Sequence, residues 1–238
     1  MLYLAGRKFG TVGGEPLTWA TNVTAPTHVA SRYRESRIVA FSTGCVYPLV
    51  PLVHGGCTEA DAPDPIGEYA QSCLGRERVF EYASERWGTP VCLFRLNYSI
   101  EPRYGVLHDI AATIQGREPV SLAVPLFNAI WQGDANAAAL LALEHCAAPA
   151  VPLNVTGPET ASVRQVATAL AEIMDAPVTF RDDVGSVAYL NCAARMYSTM
   201  GYPRVPLATV LHWTADWVAR GGRSLGKPTH FEVNTGRF

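Results

Sequence analysis

Three side chains in two nearby segments have the types and spacing for proton transfer. Thr43 closes the apolar run "RIVAFST" (37–43), and Tyr69 follows 26 positions later in "EYAQSCLGRE". Cys73 stands four residues beyond Tyr69, so on a helix the phenol and the thiol share one face. A phenol can exchange a proton with a substrate hydroxyl, but its ordinary pKa of ~10 makes it a poor base near neutral pH without help. A nearby positive charge would lower that pKa. A thiol supplies none: it is mostly neutral at pH 7, and as a thiolate it would push the phenol upward. Each group also has an ordinary structural use. Tyr69 can be a core aromatic, Thr43 a strand-end cap, and Cys73 an inert buried thiol, since no histidine lies close in sequence to activate it.

Positioning these groups requires strands and helices in alternation, and the chain supplies that pattern. Leu2–Ala5 reads as a strand. "LTWATNVTAPTHVASRYRES" reads as mostly helix, with Pro26 expected to kink it or delay its start. "RIVAFST" and "PVCLFRL" (90–96) are continuous apolar runs of the kind covered on both faces. Between them a Pro/Gly/Asp-rich loop (48–67) leads into a long helix, about Glu68 to Trp87, stopped by Gly88. Further on, "VLHDIAATIQ", "DANAAALLALEHC", "SVRQVATALAEIMDA", "AYLNCAARMYSTMG" and "PLATVLHWTADWVARGG" read as helices, while "VPLNVTG" and "PVTFRD" read as strands. The tail from Arg223 carries no clear period. Strands separated by helices predict a parallel α/β sheet.

Composition narrows the function classes. A net charge of −2, with no Lys/Arg cluster beyond a pair or two, argues against nucleic acid and anionic membrane surfaces as partners. No stretch reaches the ~18 apolar residues of a membrane span, and the first ten residues lack a signal-peptide pattern. The six cysteines include no C-x-x-C pair and read as reduced thiols of a cytoplasmic protein. His54 and Cys57 form a lone H-x-x-C near Cys45, too few ligands for a stable zinc site, so no metal is expected. Gly6, Gly10 and Gly13 follow the first strand with G-x3-G-x2-G spacing. That spacing is not a dinucleotide fingerprint, and no acidic residue ends the next strand to grip a ribose, so a plain glycine-rich loop is the better explanation.

From "FSTGCVY" onward the chain resembles the extended short-chain dehydrogenase/reductases of the NAD-dependent epimerase/dehydratase family. Asn22 in "TNVTAP" resembles the family's helix asparagine. "STGCVY" (42–47) resembles its S-[ST]-x-x-V-Y strand end, with Thr43 as the hydroxyl residue. Tyr69 resembles the tyrosine of its Y-x-x-x-K helix, with Cys73 at the lysine's position. "FRLNYSIEP" (94–102) resembles the segment facing the nicotinamide, with an Arg-to-Asn spacing one shorter than usual. "VPLNVTGPETASVRQVATALAEI" resembles the substrate-side strand and helix. The resemblance covers nearly the whole chain.

It implies a single truncated Rossmann-like domain over 1–238: a partial parallel sheet flanked by helices. A small, mostly helical substrate-binding region is interleaved with it, roughly 99–130 and 160–238. Leu2–Gly6 corresponds to the family's fourth strand, and the first strand, the glycine loop and the acidic ribose-binding residue are expected to be absent. Thr43, Tyr69, Asn22 and Cys73 fall at catalytic positions, and NAD or NADP would meet Ala5, Gly6, Ser42, Tyr69, Cys73 and Asn97. The implied substrate is a sugar or sugar-acid derivative, and the implied assembly is a homodimer. In the family the lysine lowers the tyrosine's pKa and bonds the nicotinamide ribose. With Cys73 in its place the expected oxidoreductase activity is impaired; the alternative is an inactive relative serving as a binding or oligomerisation module.

Overall fold

The two apolar runs form the middle of a parallel sheet. In a computed structural model, which describes residues 1–236, the strands Leu2–Tyr3, Ile38–Thr43, Val91–Leu96 and Val151–Val155 lie side by side in that order, every neighbouring pair parallel. Spatial order therefore equals chain order, as expected when helical crossovers carry the chain from strand to strand.

Successive side chains of a strand point to opposite faces, and both faces are covered. Ile38, Ala40, Val91 and Leu93 pack with Ala30, Phe80 and Ala83 on one side. Val39, Cys92, Phe94, Leu153 and Val155 pack with Ala135, Ala138, Ala139 and Met196 on the other. The first layer is built from α1 (Glu15–Trp19), α2 (Ala25–Arg32) and α3 (Gly67–Trp87); the second includes α5 (Gln132–Leu141) and α7 (Ala194–Met200). The expected parallel α/β sheet flanked by helices is thus the observed one.

Pro26 does something more specific than kink or delay its helix. Between α1 and α2 the chain makes one π-helical turn, Ala20–Thr24, and Pro26 sits in the first turn of α2. Proline has no N–H to give to the carbonyl four residues back, which is that of Asn22, and its ring crowds that carbonyl. Widening the turn resolves the clash without ending the helix. α3 ends as read: Gly88 adopts φ 69°, a left-handed conformation open to glycine, and its N–H bonds the carbonyl of Ser84.

A second core lies beyond the sheet. α4 (Val106–Gln115), α6 (Val163–Ile173) and α8 (Leu207–Ala219) bury Leu107, Ile110, Leu170 and Val210 together. Two-residue strand pairs brace this region, among them Ser99–Ile100 with Ile130–Trp131 and Val120–Ser121 with Phe180–Arg181. The helix expected over "AYLNCAARMYSTMG" is shorter than read. Leu190 and Cys192 bond the backbone of Cys57, which holds that stretch extended until Ala194.

α3 is tied to the sheet by charge as well as by apolar packing. The Glu77 carboxylate, 1% exposed, accepts from Arg95 Nε at 3.0 Å and Nη2 at 2.7 Å and from the Ser42 hydroxyl at 2.5 Å. Removing one member of such a buried pair leaves an uncompensated charge. Glu77→Ala is expected to lower unfolding stability in urea by about 3–5 kcal/mol. Breaking the exposed Arg37–Glu144 pair, whose side chains are 55% and 78% exposed, is expected to cost under about 1 kcal/mol.

Candidate active site

Thr43 ends its strand at the carboxyl edge of the sheet, where a single 3₁₀ turn, Gly44–Val46, takes the chain away. The Thr43 hydroxyl accepts from the N–H of Cys45 at 3.2 Å and is hydrogen-bonded to the phenol of Tyr69, in the first turn of α3. The two hydroxyls border a cavity of about 280 Å³ whose walls also include Ser42, Asn97, Tyr98 and Lys8. Parallel sheets bind ligands at this edge, outside the carboxyl ends of their strands. A larger cavity of about 590 Å³, against α5 and α7, contains neither Thr43 nor Tyr69.

Electrostatics around the phenol run in both directions. Burial, followed by the Cys73 and Cys45 thiols, pushes Tyr69 well above an ordinary tyrosine, while the Thr43 hydrogen bond and the charge of Arg76 pull it down. Burial likewise pushes the Cys73 thiol up to about 11, with Arg76 the largest opposing influence. Cys73 is 1% exposed and packs among Val46, Tyr47, Val50 and Leu190. It is a protonated core thiol at neutral pH, with no charge to offer the phenol.

The other residues singled out in the sequence fall into two groups. Ser42 and Asn97 join Thr43 and Tyr69 around the cavity. The Ser42 hydroxyl is committed to Glu77, and the Asn97 amide donates to Asn128 Oδ1 at 2.6 Å. Asn22, Ala5 and Gly6 lie outside the cavity lining. Asn22 is wholly buried in the π-helical turn and works as a clamp. Its Oδ1 accepts from the Arg7 N–H at 2.8 Å and from Arg76 Nη2 at 2.6 Å. Its Nδ2 donates to the Arg7 carbonyl and to the Ser72 hydroxyl, both at 2.9 Å, and Ser72 in turn bonds the Tyr69 carbonyl. Gly6 lies against the Arg76 guanidinium; a Cβ there would sit 2.7 Å from Nη2.

Two cations near the phenol were not foreseen. Arg76 lies three residues beyond Cys73 on α3, 5% exposed, and donates to the Phe41 carbonyl at 2.7 Å as well as to Asn22. Lys8 comes from the glycine-rich loop, and its ammonium stands 5.9 Å from the centre of the Tyr69 ring. Arg76 falls seven residues after Tyr69, on the same helical face, a spacing that could have flagged it. The aperiodic loop gave no comparable signal for Lys8. Among the described residues no three His, Cys, Asp or Glu side chains are grouped to hold a metal ion, and no helix is long and apolar enough to cross a membrane.

No protein-family model matches the chain, and no curated protein matches it. Solved structures do. MoeE5 in complex with UDP-glucuronic acid and NAD is 19% identical, with a TM-score of 0.77 over 92% of this chain and 79% of its own. UDP-glucuronic acid 4-epimerase from Bacillus cereus, in complex with NAD, is 17% identical, with a TM-score of 0.78 over 92% of this chain and 74% of its own. RMD from Pseudomonas aeruginosa, complexed with NADPH, is 21% identical, with a TM-score of 0.76 over 91% and 80%. The likeness is one of fold, and it is the Rossmann-like fold that "STGCVY" and Tyr69 led the sequence reading to expect.

With a pKa near 11, about one Cys73 in a thousand is a thiolate at pH 8. Iodoacetamide at that pH is expected to label the partly exposed Cys146 and Cys192 and to leave Cys73 unmodified until the protein unfolds, as read by peptide mass spectrometry.

Proposed function

We propose that the chain is an NAD(P)-dependent oxidoreductase of the epimerase/dehydratase type, acting on a hydroxyl-bearing carbon of a nucleotide-linked sugar or sugar acid. The observation that carries this reading is the hydrogen-bonded pair of Thr43 and Tyr69 on a cavity at the carboxyl edge of a parallel sheet. The fold shared with proteins crystallised with NAD or NADPH supports it.

The residues present fit the nicotinamide half of a dinucleotide. A cavity of about 280 Å³ accepts a ring and part of its sugar, and its walls offer the Thr43 and Tyr69 hydroxyls. No acidic side chain follows either the strand Leu2–Tyr3 or the strand Ile38–Thr43 to grip the adenosine ribose. When bound, the nicotinamide supplies hydride exchange with the substrate carbon. Thr43 would hold the substrate oxygen, and Tyr69 would move the hydroxyl proton: out of the substrate as hydride leaves, back as it returns. The region carrying α4, α6 and α8, roughly 99–130 and 160–238, would supply the sugar-nucleotide side.

A second reading, an inactive relative that binds or assembles without turnover, is favoured by one observation: the thiol of Cys73, held protonated where the family carries an ammonium. On either reading the chain would act as a cytoplasmic protein, consistent with its six free cysteines. We propose a homodimer as well, joined through the outer faces of α2 and α3, where Tyr33, just past the end of α2, and Tyr82 are exposed. Light scattering is expected to give twice the chain's 25.7 kDa; a monomeric mass would sink the dimer.

Catalysis is tested with purified protein, NADH fluorescence titration and a panel of UDP-sugars. Tyr69→Phe is expected to cut UDP-sugar turnover by about 10²–10⁴-fold while NADH affinity stays within about twofold. Binding without turnover by the unmodified chain would favour the inactive relative. Neither binding nor turnover would overturn the dinucleotide reading altogether.

A further inference from the structure

Of the chain's nineteen basic residues only two are lysines, Lys8 and Lys227. Lys227 is exposed, whereas Lys8 lines the same cavity as Thr43 and Tyr69. Its ammonium lies 5.9 Å from the centre of the Tyr69 ring and donates to the Thr229 carbonyl at 3.1 Å. The preceding residue is fixed: both backbone groups of Arg7 are held by the buried Asn22 amide, at 2.8 and 2.9 Å. An otherwise glycine-rich loop is therefore pinned one residue before the side chain that enters the cavity.

We propose that Lys8 adds, from this loop, a second positive charge beside that of Arg76, standing in for the one that the family carries at the position of Cys73 and favouring the phenolate of Tyr69. The functional meaning of this assignment rests on the oxidoreductase reading above; the electrostatic pairing does not. Lys8 is a positioning residue here, acting on the substrate through Tyr69.

The groups around the pair are consistent with this. Lys8 faces the Cys45 thiol from the 3₁₀ turn, the Cys73 thiol from α3 and the Asp109 carboxylate from α4. Asp109 is itself held by the N–H and hydroxyl of Thr229. Burial lowers the Lys8 pKa and those three groups raise it. Tyr69 faces Thr43, Cys45, Cys73 and Arg76. An ammonium at this separation, in a partly desolvated cavity, offsets part of the upward push that burial gives the phenol.

The test requires no substrate. Difluorotyrosine placed at position 69, whose ring fluorines bring the phenol's titration to a pH at which the protein stays folded, is followed by ¹⁹F NMR against pH. In Lys8→Met the phenol is expected to titrate at least about one pH unit higher than in the unmodified background. Moving the charge back, in Lys8→Met with Cys73→Lys, is expected to restore the lower value. Equal titration with and without Lys8, in proteins of unchanged circular dichroism, would overturn the assignment. An upward shift in a protein that neither binds NADH nor turns over UDP-sugars would keep the pairing and remove only the oxidoreductase reading.

Discussion

One buried carboxylate decides where helix α3 sits, and with it the phenol. Glu77 accepts from Ser42 on one strand and from Arg95 on the next, and these two residues are register partners across the parallel pair. A single side chain thus ties the helix to two strands at one level. A helix advances about 1.5 Å per residue, so Tyr69, eight positions earlier, is set about 12 Å along the axis from that anchor. Sliding α3 by one residue would strand a buried charge and carry the phenol off Thr43 in the same motion. The first consequence costs several kcal/mol in a protein interior and keeps the slid register from being populated.

The anchor is itself part of a satisfied network. Arg95 Nη1 donates to the Tyr47 hydroxyl at 2.6 Å, which donates to Asn154 Oδ1 at 2.9 Å, and the Asn154 amide reaches the carbonyls of Cys57 and Cys192. Helix, three strands and the loop that closes over the sheet edge share one polar cluster without an orphaned charge. Arg76, the residue before Glu77 on α3, differs. Its hydrogen-bond partners are neutral oxygens, the Asn22 side chain and carbonyl and the Phe41 carbonyl. Neutral acceptors satisfy its N–H groups without cancelling its charge, so a positive field persists near Tyr69 and Cys73. Glu77 and Arg76, adjacent in sequence, therefore do opposite things: one is neutralised to fix position, the other is left charged.

The sheet was legible because it is written in local pattern, whereas the pairing of Thr43 with Tyr69 was expected from the resemblance carried by "STGCVY" and the Tyr69 helix. Continuous apolar runs with Ser-Thr at the end of one of them mark covered strands and an edge, and the amphipathic stripe of α3 places Tyr69 on its inner face. What was not legible depended on tertiary burial. "GRER" in the middle of a helix looks like a solvated face, yet Arg76 and Glu77 are among the least exposed charged residues of the described chain. Lys8 lies in a segment without any period, so only the fold could bring it to the cavity. The two-residue strand pairs of the α4/α6/α8 region are too short for alternation to appear, and the extended stretch before α7 is fixed by the distant backbone of Cys57.

Pro26 connects these observations. Lacking an N–H, it cannot bond the Asn22 carbonyl, and the helix widens by one residue at that place. The freed carbonyl accepts from Arg76 Nε at 3.4 Å, and the Asn22 side chain, wholly buried, takes both backbone groups of Arg7. A regular helix would return that carbonyl to the helix's own ladder and rotate the amide away from the loop by a fraction of a turn. The loop would then have no side-chain anchor at Arg7, and neither the guanidinium beside the phenol nor the ammonium in the cavity would be held where it is. The position of two cations around Tyr69 thus follows from a missing hydrogen-bond donor on another helix.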